Sequence, residues 1–169
     1  MKKVLTAAAG IFVIALLWAP LVSQAEERVS SPPQDLLIKC EVETAVSMLQ
    51  ALYAKHQKGE LTLDEAKKLG ADLLRELRYG TEGYFWADTT EGVNVVLYGR
   101  TDVEGRNRLE DRDSNGICYV KKFLAIGSAG GGYTEYLFSK RGETVPHQKR
   151  SYVLLFKPFG WVVGSGYYL

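Results

Sequence analysis

Cysteine and histidine are scarce in this sequence, which limits the chemistry it can support. Its 169 residues include two cysteines, Cys40 and Cys118, and two histidines, His56 and His147. There is no Cys-x-x-Cys pair, no Gly-x-Ser-x-Gly turn and no cysteine next to a histidine, so the patterns typical of zinc sites and nucleophilic enzymes are missing. We therefore expect a protein that is not an enzyme and that needs no cofactor or metal. The two cysteines fit either one disulfide or two small buried side chains.

An excess of charge of one sign is also missing. The chain has 21 lysines and arginines against 20 aspartates and glutamates. Removing residues 1–25 would take away two lysines and no acids, which leaves 19 basic residues against 20 acidic ones. A nearly neutral protein lacks the basic surface that binds phosphate backbones, so a nucleic-acid partner is excluded. The content of 46% hydrophobic and 24% charged residues is ordinary for one globular domain.

Long hydrophobic runs are absent except at the N-terminus. There, two lysines precede an apolar run from Val4 to Trp18, and Ser23 and Ala25 supply the small residues of a cleavage site. We predict a secretory signal peptide over residues 1–25 and export to the periplasm or beyond. The alternative is an uncleaved membrane anchor, because the apolar stretch is just long enough to span a bilayer. Since no second span follows, this chain is not expected to carry a signal across the membrane by itself.

Periodicity predicts two helices after a polar leader at residues 26–33. Over about residues 34–58, apolar side chains recur every three or four positions, which is the pattern of one long amphipathic helix. Thr62 and Glu65 form a capping-box pattern for a second helix, which runs to about Arg78. Two helices therefore precede the rest of the fold.

Short β-branched or aromatic segments then predict five strands, with a helical insertion after the second. The segments cover residues 84–88, 93–98, 133–138, 151–156 and 161–168. Glycine- and proline-bearing turns join the last three, and His147 is expected in one of these hairpin loops. Short connections favour an antiparallel sheet that the long helix covers on one face. The expected fold class is therefore α+β.

One segment, Asp111–Gly116, imitates the first half of an EF-hand calcium loop. The twelfth position of that loop holds Lys122 where a bidentate glutamate is needed, so calcium binding is not expected. A turn that caps the N-terminus of the inserted helix is the better interpretation.

Aromatic and cationic residues of the sheet and its loops are candidates for a binding site. Tyr84 and Trp86 share one strand face, because side chains alternate along a strand. Rings with polar tips either fill a core or line a pocket, and both interpretations fit the pattern. Arginines and tyrosines together can hold a carboxylate. The candidates are Tyr84, Trp86, Tyr98, Arg100, Arg106, Tyr133, Tyr136, Lys149 and Tyr152.

Five motifs occur in a fixed order along the chain. They are YG..GYFW at residues 79–86, EG.NRL at 104–109, D..G at 113–116, GGGY at 130–133, and KRSY...F.P.GW..G.G.Y from Lys149 onward. In this order they resemble the single Cache domains, the extracytoplasmic sensor modules of bacterial chemoreceptors and histidine kinases. The resemblance makes residues 34–169 one single Cache domain. It implies a PAS-like topology, with a five-stranded antiparallel sheet and the long N-terminal helix packed on one face.

The resemblance also implies a site. In single Cache domains, the aromatic strand, the loop after the second strand and the central strands frame a pocket for small ligands, which include short carboxylates. Together with the cationic loop, this predicts a ligand-binding set of Tyr84, Trp86, Tyr98, Arg100, Tyr136, Lys149 and Tyr152. Many members have a Met-His-Pro run where this chain has Leu97, Tyr98 and Gly99, so the identity of its ligand stays open.

The function expected from the resemblance is that of a periplasmic sensor domain. It would bind a small organic acid without changing it and pass its ligand state to a membrane receptor or histidine kinase, in signal transduction or chemotaxis. The alternative is an interaction scaffold that binds no small molecule and forms a homodimer through the long helix.

Overall fold

The structure is a computed structural model that describes residues 32–169. The predicted signal peptide at residues 1–25 and residues 26–31 of the predicted leader lie outside the described residues, so export and cleavage stay predictions. Within the described part of the chain, no helix is both long enough and apolar enough to cross a membrane.

The first element is the long helix α1, Pro33–Gln57. A proline suits its first turn, where the backbone N–H would have no partner inside the helix. Ile38, Val42 and Leu49 are completely buried on one side of the helix. This is the stripe that the three- and four-residue spacing predicted, and it fixes which side of α1 faces the sheet.

The second helix, α2, spans Leu63–Glu76 and begins with the predicted capping box. The Thr62 hydroxyl accepts a hydrogen bond from the Glu65 N–H at 3.2 Å, and the Glu65 carboxylate accepts one from the Thr62 N–H at 2.8 Å. Both exposed donors at the start of the helix are therefore satisfied, and the prediction is confirmed.

Six strands form one antiparallel sheet. They are β1 Arg78–Tyr79, β2 Gly83–Thr89, β3 Asn94–Leu97, β4 Gly132–Ser139, β5 Pro146–Phe156 and β6 Trp161–Tyr168. Their order is β1-β2-β6-β5-β4, and β3 also pairs with β2. The PAS-like α+β fold class is confirmed. The strand that the sequence did not predict is β1, which is two residues long.

The sheet has a core on each face. One face packs against α1 and α2 through residues such as Phe85, Phe156 and Trp161. The other packs against the third helix, α3 Tyr119–Ser128, through Trp86 and Phe123. Consecutive residues of a strand therefore belong to different cores, because side chains alternate between the two faces.

Two local predictions are wrong. His147 lies within β5 and pairs with Phe138 of β4, because the hairpin strands are longer than their β-branched parts. Asp113 does not cap α3, whose N-cap is Cys118 without a side-chain hydrogen bond. The Asp113 carboxylate instead accepts backbone N–H groups of its own loop, and one from Leu137, which ties the loop to the edge strand β4.

The two cysteines are free thiols. Cys40 is exposed on α1, and Cys118 is partly exposed directly before α3. Both interpretations of the sequence are therefore wrong for this structure, because the intrachain disulfide is not formed and neither thiol is buried.

Candidate ligand-binding site

The largest fully buried side chain is a lysine, Lys149 of β5, which is 1% exposed. Its ammonium group donates a hydrogen bond of 2.6 Å to the Tyr84 hydroxyl. Aromatic rings surround it, with their centroids 4.1 to 5.5 Å from Nζ; they belong to Tyr84, Trp86, Phe138 and Tyr168. Among residues 32–169, no carboxylate lies within 4.0 Å of this ammonium, so its charge is solvated only by a hydroxyl and by π faces.

Burial shifts the protonation of this lysine. Removing the ammonium from water lowers the pKa of Lys149 from 10.5 to about 7. The neighbouring cation, Arg150, behaves in the opposite way, because hydrogen bonds to Asp35 and Glu135 raise its pKa. A buried charge without a partner is costly, and an anion placed beside Lys149 would remove that cost.

A second group without a partner lies beside Lys149. The indole Nε1 of Trp86 is buried and has no hydrogen-bond acceptor among the described residues. The indole packs over Gly164 of β6, its register partner, where any Cβ would overlap the ring. Phe123 of α3 holds it from the other side, with the ring centroids 5.5 Å apart. The rigidly held Trp86 side chain thus lines the same pocket as Lys149.

A second cation, Arg108, closes the pocket from the loop before α3. It is 4% exposed and donates to the Tyr119 hydroxyl at 2.8 Å and to the Asp111 carboxylate at 3.0 Å. The buried Asp88 carboxylate lies 3.9 Å away. Burial raises the pKa of Asp88 to about 6, against the opposing effect of the Arg108 charge.

The pocket enclosed by these groups is small. It has a volume of about 10 Å³, which is the size of one water molecule. Its lining residues are Tyr84, Trp86, Leu97, Arg108, Tyr119, Phe123, Tyr136, Phe138 and Lys149. A two- or three-carbon acid therefore requires a side chain of the wall to move.

A wider groove of about 240 Å³ lies outside this inner pocket. Tyr84, Tyr119 and Phe138 line both spaces and form the wall between them. We call the wider space the outer groove. It is the open side through which a small molecule would reach Lys149.

Four of the predicted site residues meet at the inner pocket: Tyr84, Trp86, Tyr136 and Lys149. Tyr136 is Lys149's partner across the β4–β5 pair, and its hydroxyl lies 3.3 Å from the Ser151 hydroxyl. Tyr98 and Arg100 line the outer groove instead. The ring of Tyr98 lies 5.7 Å from that of Tyr84, whereas Arg100 is paired with the exposed Asp102 at 2.9 Å.

The remaining predictions do not reach the pocket. Tyr152 lies on the opposite face of the sheet, in the core below α1, where its ring packs against Tyr133 at 5.0 Å. The physical reason is strand alternation, since Tyr152 is an odd number of positions from Lys149. Arg106 is exposed and does not line either space. The arginine that sequence reasoning missed is Arg108, which lies in the same EG.NRL motif.

The pocket suits an anion better than a cation or a neutral molecule. It presents an ammonium, an indole N–H and a nearby guanidinium, and all of these are donors. A carboxylate would accept from the ammonium and the indole while its carbon chain contacts the rings. Among residues 32–169, no group of histidine, cysteine, aspartate and glutamate side chains could hold a metal ion.

Comparisons with known proteins agree with this architecture. A sequence model of the single Cache domain 2 family matches residues 34–169. The sensor histidine kinase MctS of Rhizobium johnstonii is 32% identical over 125 residues, which are 74% of this chain and 26% of the kinase. The chain spans about a quarter of the length of the curated relatives it matches.

Two solved structures are similar over most of this chain. A periplasmic sensor domain of a chemotaxis protein is 35% identical, with a TM-score of 0.77, and the match covers 80% of this chain and 94% of that one. A Cache chemosensory domain whose structure gives the basis of its carboxylic acid recognition is 28% identical, with a TM-score of 0.76, and the match covers 82% of this chain and 99% of that one.

Proposed function

The chain belongs to the single Cache domain 2 family, and from this membership we propose that it is a periplasmic sensor domain whose inner pocket binds a small organic acid. The ligand is bound and released unchanged. Its bound state is passed to a membrane receptor or histidine kinase, in chemotaxis or another signalling pathway.

The observation that carries this proposal is the buried ammonium of Lys149. It has no acidic partner among the described residues, and its pKa is lowered to about 7 by burial. If Lys149 served only to fill the core, a methionine of similar volume at this position would make the folded protein more stable. The ammonium and the orphaned indole N–H of Trp86 are the donors that a bound carboxylate would satisfy. One of the similar Cache domains recognises carboxylic acids, which supports the same class of ligand here.

The sheet offers a direct route from the pocket to α1. Lys149 contacts the pocket, and the next residue, Arg150, makes a bidentate ion pair with Asp35 in the first turn of α1, with both distances at 2.8 Å. Two consecutive residues of the flanking strand β6 also face opposite sides of the sheet. The ring of Tyr168 lies near Lys149, and the hydroxyl of Tyr167 donates a hydrogen bond to the Asp35 carboxylate at 3.0 Å. A shift of β5 on ligand binding would therefore act, through Arg150 and Asp35, on the start of the long helix.

Export to the periplasm is part of the proposal. It rests on the signal-peptide pattern at residues 1–25 and on the extracytoplasmic place of the family. N-terminal sequencing of the protein purified from the periplasm tests it, and a chain that still begins at Met1 would overturn cleavage before Glu26.

A thermal-shift screen of the purified protein tests ligand binding. The compounds are acetate, propionate, pyruvate, lactate, dicarboxylates, amino acids and urea. A ligand at 100 times its dissociation constant stabilises the folded state by about 2.7 kcal/mol, which raises Tm by several degrees in a domain of this size. The expected hits are carboxylates, and they should be lost in Lys149→Met but kept in Lys68→Met, whose side chain is 77% exposed. A flat screen with folded protein would contradict the proposal.

A second candidate function, a scaffold that dimerises through α1, is favoured by one observation. Leu36 and Leu37 in the first turn of α1 are 61% and 48% exposed. Light scattering with and without carboxylates separates the two functions. A dimer of unchanged stability in every compound supports the scaffold, whereas ligand-dependent stabilisation supports the sensor in either oligomeric state.

A further inference from the structure

The outer groove is lined by four cationic side chains, none of which lines the inner pocket. Arg100, Arg112, Lys140 and Arg141 line it, and its carboxylates are those of Asp113 and Glu143. Both carboxylates are engaged, because Asp113 accepts three backbone N–H groups and Glu143 is hydrogen-bonded to His147 at 2.8 Å. An adjoining depression, which shares Lys140 and Arg141 with the groove, adds Glu82.

Two of the four cations, Lys140 and Arg141, have no acidic partner in the part of the chain that the structure describes. Arg100 is paired with Asp102, and Arg112 lies 4.0 Å from Glu110. No carboxylate of residues 32–169 lies within 4.0 Å of Lys140 or Arg141, which are adjacent in the β4–β5 hairpin. Within the described part of the chain, two consecutive residues of the groove lining therefore carry positive charges without a carboxylate partner.

Arg141 is also held in place. Its guanidinium donates a hydrogen bond to the Tyr98 hydroxyl and lies 4.6 Å from the centroid of that ring. The guanidinium of Arg78 stacks on the same ring at 3.2 Å. Gly99 leaves the space that the Arg141 side chain crosses, since a Cβ there would lie 3.2 Å from its Cδ. An arginine fixed in this way loses little side-chain entropy when it binds an anion.

Lys140 of the outer groove lies a short distance from Lys149 of the inner pocket. The centroid of the Tyr168 ring is 5.3 Å from Lys140 Nζ and 5.1 Å from Lys149 Nζ, so the two ammonium nitrogens are at most about 10 Å apart. Allowing a charge-assisted hydrogen bond of roughly 2.8 Å at each end leaves at most about 5 Å for the ligand itself. Two carboxylates joined by a two-carbon chain span such a gap.

We propose that Lys140 and Arg141 form a second anion subsite and that the ligand of this domain is a four-carbon dicarboxylate. One carboxylate binds Lys149 in the inner pocket, and the other binds the hairpin cations in the outer groove. The proposal rests on the proposed function, because it uses Lys149 as the inner partner. It adds the class of ligand and the two residues that select it.

Calorimetric titration with succinate and succinamate tests this directly. The two compounds have the same length, and in succinamate one carboxylate is replaced by a neutral amide. The wild-type protein is expected to bind succinate about tenfold more tightly or better, which is the size of one charge-assisted hydrogen bond. In Lys140→Gln/Arg141→Gln that preference disappears, while the affinity for succinamate changes less than about twofold.

The matched control is Lys121→Gln, which removes an exposed cation of α3 outside the groove. It should keep the wild-type preference, and circular dichroism should show that all variants are folded. Equal affinity for succinate and succinamate in the wild type, or an equal loss of both in the double variant, would overturn the dicarboxylate inference and leave the carboxylate sensor standing. If neither these compounds nor any monocarboxylate binds, the proposed function itself fails.

Discussion

Lys149 and Arg150 are consecutive residues of β5 whose cations face opposite sides of the sheet. The first has no acidic partner among residues 32–169 and lies in the aromatic pocket, while the second makes a bidentate ion pair with the buried Asp35 of α1. The same peptide therefore belongs to the candidate ligand site and to the anchor of the long helix. A ligand that moves Lys149 therefore also acts on Arg150, because one peptide bond joins the two residues.

The anchor should be important for stability. Asp35 is 1% exposed, and Asp35→Asn removes the buried one of the two carboxylates that Arg150 contacts. Because Arg150 keeps its ion pair with Glu135 and some contact with solvent, we expect a loss of about 2 kcal/mol at pH 7, measured by urea unfolding. The control is Glu43→Gln, which breaks an exposed pair with Lys39 on the same helix and should cost less than about 1 kcal/mol. Equal losses of unfolding free energy in the two variants would contradict the role of the Asp35–Arg150 ion pair as an anchor.

The pH dependence of this anchor has a definite sign. Hydrogen bonds from Arg150 hold the pKa of Asp35 below its usual value of 3.8. The stabilisation is therefore fully present above pH 3.8 and is lost as the pH falls through the lower, folded-state pKa. The difference in unfolding free energy between wild type and Asp35→Asn should stay constant down to about pH 4 and shrink below it.

Lys149 is expected to destabilise the protein that contains it. Its pKa of about 7 in the folded state is below the ordinary value of 10.5. Below pH 7 both states are protonated and the full cost of burial is present; between pH 7 and 10.5 the folded state loses its proton first and stability rises. Lys149→Met should therefore be more stable than wild type by about 1 kcal/mol or more at pH 6, with a smaller difference at pH 9. A variant that is less stable than wild type at pH 6 would contradict the claim that burying this ammonium costs stability.

Gly164 is expected to control the position of the Trp86 indole. The methyl group of Gly164→Ala would overlap that ring, which must move or strain the β2–β6 pair. We expect a loss of about 1 to 3 kcal/mol, a change in tryptophan fluorescence and weaker carboxylate binding. In the control, Gly132→Ala, the new methyl meets only the end of the Ile126 side chain at 3.0 Å. The same fluorescence change in both variants would argue against a specific role for Gly164.

The sequence predicted the elements whose side chains repeat regularly. The buried stripe of α1, the capping box at Thr62 and the aromatic strand β2 all have local signals that survive in the fold. The strand β1 has none, because two residues are too few to show a period. The family resemblance, now confirmed, supplied the strand order that periodicity does not contain.

The errors in the predicted site have two different causes. Tyr152 could have been removed from the set by strand alternation alone, since an odd spacing from Lys149 puts it on the other face. Arg108 could not have been chosen over Arg100 and Arg106 in this way, because no period applies in an irregular loop. Only the folded loop shows that Arg108 turns inward to Tyr119.

The affinity for a carboxylate should depend on pH in the way that Lys149 requires. If only the protonated ammonium binds the anion, affinity is constant below the free-state pKa of about 7 and falls about tenfold for each pH unit above it. In acid, affinity falls again as the ligand itself becomes protonated. Calorimetric titrations between pH 5 and 9 measure this profile, and a flat profile from pH 7 to 9 would exclude Lys149 as the partner.

The proposal that Lys149 binds the ligand as an ammonium is tested most directly by measuring how many protons the protein takes up when the ligand binds. Titrations with succinate or a shorter carboxylate at pH 8, in two buffers of different ionisation enthalpy, give this number. Because Lys149 is mostly neutral at pH 8 when its pKa is about 7, binding should take up about one proton in the wild type and in Lys68→Met. Binding without proton uptake, or undiminished binding by folded Lys149→Met, would contradict the account.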